Sequence, residues 1–468
     1  PWLEKMAPPL LQAATLLSLA LVVVLAGNAA AAPQSALITD LPGIDPSQVT
    51  FDQYAGYVNI SDSKHLFYWF VESQRDPAND PVLLWMNGGP GASSLLGFFS
   101  EHGPFRPEPN GQDLSLYPYS WNRIANVIYL EAPVGVGFSY SDDKQDYITN
   151  DTQTALDNYA FLEGWFELFP EYLANPFWIT GESYAGHYCP QLAAVLQQHL
   201  EDGSSNINMK GLLVGNPVTD NDWYYRQNEW SYLTTLYSHG LIPQSCYTTT
   251  YEACGWADFL VPSYCDDQFN EPTIQCREQV AACLAYYPYG DMDQYDLYAP
   301  LCLNETTASP KSRSALENFP APAEVPFYPC IDNYMIAYLN QPAVQQALHV
   351  QPTNWYMYGK ILYINETALV MPLYQQFQQE TDWDVLIFSG DVDSAVPFLG
   401  TQRWVSCLGF PLVQDWTAWF YEGQVSGAYT VYDGLTLLSI KGCGHMVPYY
   451  CPIKGFVILD RWFNGDWL

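Results

Sequence analysis

The chain has 468 residues, 49% of them hydrophobic and 16% aromatic, a composition that supports a large core and argues against wholesale disorder. Lys and Arg number 16 against 50 Asp and Glu, and the net charge of -34 argues against nucleic acid or anionic membranes as partners. So acidic a chain suits an acidic compartment, where protonated carboxyls no longer repel one another.

The first predicted element is a leader. Leu16 to Leu25 is an apolar run of signal-peptide length, and Ala29 to Pro33 offers small-residue cleavage sites near Ala30 to Ala32. Residues 1–32 are therefore read as leader and signal peptide, with Met6 as the start. The run is short for a membrane span and no other stretch is long enough, so no membrane association is expected after signal removal. Tyr54 to Ile60 and Leu66 to Val71 suggest an opening hairpin. Pro81 to Met86 reads as a buried strand that runs into Asn87-Gly88-Gly89-Pro90-Gly91, a turn whose backbone N–H groups can face a cavity without side chains in the way. Glu101-His102-Gly103-Pro104, a strand from Asn126 to Glu131 and the stretch Ala132 to Tyr140 come next. Thr152 to Phe169 has helical spacing.

Phe177 to Thr180 leads into Gly181-Glu182-Ser183-Tyr184-Ala185-Gly186 and then a helical pattern through Leu196. This reads as a nucleophile elbow, in which a tight strand-to-helix turn lifts one hydroxyl clear and points a helix N-terminus at developing charge. Ala185 in the last position of G-x-S-x-G is a mild departure. Gly211 to Asn216 is another core strand. From about Thr219 to Phe319 the chain holds most of the Cys, many Tyr and few clean strand patterns. Residues 218–320 are read as a disulfide-rich cap insertion between two parts of one core, 33–217 and 321–468. Buried strands resume at Asp384 to Ser389, ending in Gly390-Asp391-Val392-Asp393, and again at Leu435 to Ile440, ending in Gly442-Cys443-Gly444-His445. A helical pattern from Lys454 to Phe463 closes the chain.

Strands alternating with helical segments predict an α/β class, a mostly parallel central sheet with helices on both faces. Ser, then Asp, then His, each just past the end of a predicted strand, is the order of the α/β-hydrolase fold, and ligands of such sheets bind beyond the carboxyl ends of the strands. Of the seven His, only His445 sits in a Gly-flanked strand-end turn. For the acid, the spacing favours Asp393, while Asp391 is expected to brace the loop.

With those residues assembled, the chain resembles the serine carboxypeptidase family, whose members include vacuolar and lysosomal enzymes. The resemblance runs from Gln48 to the C-terminus and rests on Trp85 to Gly91, Glu101 to Pro104, Ala132 to Tyr140, Gly181 to Gly186, Gly390 to Asp393 and Gly444 to Pro448. It implies hydrolysis of C-terminal peptide bonds, with Ser183 as nucleophile, His445 as general base and acid, and Asp393 orienting the imidazole. The N–H groups of Gly89 and Tyr184 would form the oxyanion hole. Asn87, Gly88 and Glu182, with Trp85 and Glu101 behind them, would take the substrate's free carboxylate. Because a Glu can face a carboxylate only if a proton is shared, cleavage is expected to need mild acid. Met446 resembles members that favour apolar leaving residues. No cofactor is implied, the substrates are peptide or protein C-termini, and the resemblance leaves room for a homodimer. The nearest rival is an acyltransferase or esterase on the same fold, against which Asn87 and Glu182 argue. A binding or protective role is the rival from another class.

The remaining expectations concern the compartment: the secretory pathway, ending in a lysosome or vacuole or outside the cell. Asn59, Asn150, Asn304 and Asn365 head sequons for N-glycans. Six of the 11 Cys, namely Cys246, Cys254, Cys265, Cys276, Cys283 and Cys302, crowd into one segment and read as disulfides. With no C-x-x-C pair or His among them, no metal site is expected. The odd total leaves a free thiol. Ala92 stands where the family commonly has a Cys, and Cys330 resembles that Cys's usual partner, so Cys330 is free or re-paired. Cys189, after the elbow, is unusual too. Cys443 is either a thiol near the site or the partner of Cys407. Whether a segment near residues 260 to 320 is excised stays open.

Overall fold

The computed structural model describes residues 32–219, 221–256, 265, 273–288, 290–303, 328–366 and 369–466. The leader up to residue 31 and the sequon at Asn304 lie outside them.

The chain opens with an antiparallel hairpin of β1 (Gln53–Asn59) and β2 (Lys64–Val71). Then come β3 (Val82–Met86), β4 (Phe105–Pro107), β5 (Leu114–Leu116), β6 (Asn126–Leu130), β7 (Tyr140–Ser141), β8 (Ile148–Asn150), β9 (Phe177–Glu182) and β10 (Met209–Gly215). After a long helical interval follow β11 (Leu362–Ile364), β12 (Asp384–Gly390), β13 (Leu412–Tyr421), β14 (Gln424–Tyr432) and β15 (Leu435–Ile440). Among the described residues they build an 11-stranded sheet of order β1-β2-β6-β3-β9-β10-β12-β15-β14-β13, with β7 beside β2. Its centre from β6 to β15 is parallel, and its two flanks are antiparallel.

Every residue of β3, β6, β9 and β15 is buried, which is why these strands read as continuous apolar runs rather than as alternation. Alternate side chains of β3 enter different cores: Val82, Leu84 and Met86 join one, Leu83 and Trp85 the other. The first core is completed by α1 (Asp151–Leu168), α2 (Ala185–Glu201) and the helix Met371–Glu380; the second by Ile331–Leu339 and Pro452–Asn464. Helices thus cover both faces, as expected for the α/β-hydrolase fold. α1 starts where the Asn150 side chain accepts from Gln153 N at 2.7 Å.

Between β10 and β12, α3 (Asn221–Ser238), α4 (Gln244–Ala253) and α5 (Ile274–Leu284) gather a separate apolar cluster around Trp230, Leu233, Trp256 and Val280. Two disulfides, Cys246–Cys283 and Cys254–Cys276, lie in this region. The other pairings settle what the sequence reading left open for Cys330, which is re-paired, and correct it for Cys443. Cys265 reaches out to Cys407, Cys302 pairs with Cys330, and Cys443 is neither a free thiol nor bonded to Cys407 but joined to Cys451. Cys265 and Cys407 lie 142 residues apart and meet through the fold, which spacing does not reveal. Among the described residues the free cysteine is Cys189, buried in the first core. The hairpin β13–β14 was not predicted. Its register shifts at three places and β13 is largely exposed, so the alternation that marks a half-buried strand is broken. No described helix is long and apolar enough to cross a membrane.

Candidate active site

The parallel register brings four strand ends to one level. Glu182 of β9 pairs with Gly215 of β10, Gly215 with Phe388 of β12, and Gly390 of β12 with Ile440 of β15. Ser183, Asn216, Asp391 and Lys441 each begin the loop beyond that level.

Ser183 has φ of 61°, the left-handed region that a sharp strand-to-helix turn imposes. Its backbone is held on both sides: its N–H donates to Gly215 O at 3.0 Å, and its carbonyl accepts from Gly186 N and Val218 N, both at 2.9 Å. The small neighbours are required by crowding. A Cβ on Gly186 would meet Val218 O at 2.2 Å, and one on Gly181 would meet Met86 O at 2.5 Å and Ala185 Cβ at 2.6 Å. Ala185 is tolerated because Gly181 opposite it lacks a Cβ. Ser183 itself is half-buried, while its chain neighbours are buried.

His445 and Asp393 meet at their side chains, Nδ1 to Oδ2 at 2.6 Å, and both are buried. Asp393 is fully engaged. Oδ2 also accepts from Asn216 Nδ2 at 2.7 Å, and Oδ1 accepts from Ala395 N at 2.7 Å and Val396 N at 3.1 Å. Asp391 accepts from Gly442 N at 2.6 Å and so ties its loop to the His turn. Asn216, which the sequence reading missed, ties the end of β10 to the Asp393 loop, its Oδ1 accepting from Gly390 N at 3.1 Å. Its only signal was its place directly after a core strand. From the interval between β10 and β12, Tyr295 O accepts from His445 N at 2.7 Å and the Tyr295 ring lies 5.0 Å from the imidazole. Met446, next to His445, is half-buried against the second core.

The Gly-rich turn lies against the elbow: a Cβ on Gly88 would stand 2.3 Å from Tyr184 N. Gly89 has φ of 111° and precedes a cis proline. The Tyr184 ring stacks on His187 at 4.8 Å, and its hydroxyl donates to Asp151 Oδ1 at 2.8 Å and lies 3.1 Å from the Asn365 side-chain amide.

Beside this turn sits a buried polar cluster. Asn87 Oδ1 accepts from Trp85 Nε1 and Gly97 N, both at 2.9 Å. Those partners can only donate, so the amide cannot be flipped and Nδ2 must face the other way. It donates to Oε1 of both Glu101 and Glu182, at 2.9 Å each. Both carboxyls are buried, Glu101 completely, which rules out a solvated turn as their setting. Burial first, then the neighbouring Glu101 charge, raise the Glu182 pKa well above the ordinary carboxylate range. Burial raises that of Glu101 as well, against the Asn87 amide. Asn59 and Asn365 are exposed and Asn150 is half-buried. Among the described residues no group of three or more His, Cys, Asp or Glu could hold a metal ion.

A profile described as serine carboxypeptidase matches residues 42–465. The chain belongs to the serine carboxypeptidase family. Relatives include "Serine carboxypeptidase 1" of Hordeum vulgare, 36% identical over 93% of this chain and 94% of that protein. "Lysosomal protective protein" of Mus musculus is likewise 36% identical, over 93% of this chain and 95% of its own length. "Serine carboxypeptidase-like 34" of Arabidopsis thaliana is 36% identical over 93% and 90%. Among solved structures, a prohormone-processing carboxypeptidase from Saccharomyces cerevisiae superposes with a TM-score of 0.75 at 22% identity, over 93% of this chain and 96% of that one, and carries the fold. This serine carboxypeptidase is therefore a hydrolase of peptide bonds, and its five disulfides are the chemistry of the secretory pathway.

Further buried carboxyls lie around the site. Glu131 accepts from Ser93 Oγ, Phe138 N and Trp355 Nε1, and burial pushes its pKa up to about 7 from 4.5. Asp296, against the His445 turn, is pushed by burial up to about 7 from 3.8. A raised carboxyl means that the folded state keeps a proton that the unfolded chain has lost. Stability therefore falls as pH rises from the unfolded value to the folded one, then levels off. For Glu131 alone this is on the order of 3 kcal/mol. His187, depressed by burial to about 4, works in the opposite sense between its folded value and 6.5. The carboxyls outweigh it above the histidine's ordinary range, so the melting temperature should drop by a few degrees between about pH 5.5 and 7.5. Differential scanning fluorimetry across that range checks this; a rising or flat curve would contradict the assignment.

Proposed function

We propose that this carboxypeptidase releases the last residue of peptides through an acyl-enzyme on Ser183. In this reading Ser183 Oγ attacks the scissile carbonyl and passes its proton to His445 Nε2, whose Nδ1–H is held by Asp393. The N–H groups of Gly89 and Tyr184 receive the oxyanion; one such donor typically contributes about a hundred- to a thousand-fold in rate. The tetrahedral intermediate collapses as His445 returns the proton to the leaving amine, and water, deprotonated by the same imidazole, frees the acid.

The observation that carries the exopeptidase reading is the Asn87–Glu101–Glu182 cluster next to the elbow. Asn87 holds Oε1 of both acids, which leaves the second oxygens for a proton. Glu182, next in the chain to Ser183 and raised well above the ordinary range, is suited to donate that proton to a C-terminal carboxylate. Gly88 N–H would be the second donor. As pH rises and the pair loses its last proton, two like charges face the substrate carboxylate, and binding fails. Mild acid is thus the working range, which fits an acidic lumen such as a lysosome or vacuole. Met446, apolar and half-buried beside His445, supports a preference for apolar leaving residues.

The test is a blocked dipeptide at about pH 5 beside its C-terminally amidated twin, with products followed by mass spectrometry. We expect release of one residue from the free acid, a rate at least about tenfold lower for the amide, and kcat/KM for the acid falling above roughly pH 7. Equal cleavage of both would mean that the cluster does not read a carboxylate, and the esterase reading would move ahead.

A further inference from the structure

Behind the carboxyl pair lies a cation that the reaction does not use. Arg106, in β4, is 8% exposed. Its guanidinium donates to the backbone carbonyls of Glu101 and Phe105 and lies over the Tyr117 ring, 3.3 Å from the centroid. Among the described residues no carboxylate comes within ion-pair distance of it. A buried guanidinium without a carboxylate against it is costly, and it cannot shed its proton as a lysine would. The residue whose backbone carbonyl it holds is Glu101 itself, and its positive charge favours the ionised form of the Glu101 carboxyl.

We propose that Arg106 is a positioning residue for carboxylate recognition: its cation holds the negative charge of the buried pair on Glu101 and so leaves the shared proton on Glu182, the member adjoining Ser183. The proposal rests on the carboxypeptidase reading of this site. It explains why two acids are present where one donor would serve. The inner acid carries the charge that Arg106 balances, and the outer acid remains a neutral donor.

The uncharged groups facing the pair do not supply this asymmetry. His102, on the next residue, stacks on Trp121 at 3.8 Å and donates or accepts only at Tyr129 OH, and burial holds its pKa well below the ordinary value, so it is neutral. Tyr129 and Tyr117 are held neutral by burial. Trp85 and Asn87 are uncharged. On the outer side Asp393 repels charge on Glu182, whereas a protonated His445 would favour charge on Glu101. Both push the same way as Arg106, but His445 gains and loses its charge during turnover and Asp393 acts on Glu182 rather than on Glu101, so Arg106 is the fixed charge acting on Glu101. Tyr295 and Tyr358, at the outer side, are raised by burial and are neutral as well.

The measurement is the alkaline limb of kcat/KM for a free-acid dipeptide, in the full-length protein, for Arg106→Met, Arg106→Gln and Arg106→Lys. Removing a cation makes the pair hold its last proton more tightly. The limb should therefore move up by about one pH unit in the Met and Gln variants, leaving more free-acid cleavage at neutral pH. It should stay at the wild-type position in the Lys variant. The amidated substrate should show no such displacement in any of them. Met keeps the length and apolar stem of Arg, so a thermal melt like wild type is expected. A limb that stays put in folded Met or Gln protein, one that moves as far in the Lys variant, or equal movement for the amide, would each overturn the role given to Arg106. Failure of the carboxypeptidase reading itself looks different: the wild-type enzyme would not distinguish the acid from the amide at any pH.

Discussion

Replacing Ser183 with Ala should lower kcat for a free-acid dipeptide by roughly a million-fold, the loss typical of removing the nucleophile from a triad, with no change in melting temperature. The second half of this expectation comes from the turn's construction. Its unusual φ is imposed by backbone bonds, with Gly215 O below and the N–H groups of Gly186 and Val218 on the other side. The crowding that keeps it sharp is between Gly181, Gly186 and their neighbours. None of this involves Oγ, and Ala carries the same steric cost as Ser at positive φ. Rates by mass spectrometry and a thermal melt on the same preparation check both halves. A folded variant retaining a tenth of the activity would show that another group performs the attack.

The second large effect is expected from Asp393→Asn, about ten-thousand-fold in kcat. The two oxygens of Asp393 are not equivalent. Oδ1 faces only backbone donors, the N–H groups of Ala395 and Val396. In the variant that position must be the amide oxygen, because an NH2 group there would point two donors at two donors. The NH2 is then forced onto the other side, toward Asn216 Nδ2 and His445 Nδ1. Donating to Nδ1 fixes the imidazole with its proton on Nε2, where it cannot accept from Ser183. Asn216 cannot rescue the site by flipping, since its own oxygen is engaged by Gly390 N. A variant within about tenfold of wild type at pH 5 would mean that Asp393 does not orient His445.

The parts of this molecule that were legible beforehand share a physical cause. β3, β9 and β15, and β12 beyond Asp384, are buried and so appear as uninterrupted apolar runs, and Gly88, Gly181, Gly390 and Gly444 at their ends are required because backbones crowd there. That exposed Ser183, Asp393 and His445 as candidates, and placed Asp391 correctly as a loop brace. Arg106, Glu131 and Asn216 were invisible for the converse reason: each is a single polar residue whose meaning lies in what surrounds it, and no spacing rule announces a buried cation or a bridging amide. The β13–β14 hairpin escaped because its bulges break the period that would have revealed it. The clustered Cys were rightly read as disulfides and Cys330 is re-paired, but both alternatives for Cys443 failed. Cys443 finds Cys451 only because the His445 turn and the start of the last helix fold back on each other.

The disulfide map also decides what a protease could do to this chain. Cys265 and Cys302 precede the interval from residue 303 to residue 329, and their partners Cys407 and Cys330 follow it. A single cut anywhere in that interval would sever the polypeptide but not the molecule. The Ser183 half and the Asp393–His445 half would stay joined by two covalent bridges and by the shared strands β10 and β12. Such a nicked enzyme would run as one band on a gel without reductant and as two with it. The residues proposed as catalytic would then reside on two different chains of one intact fold.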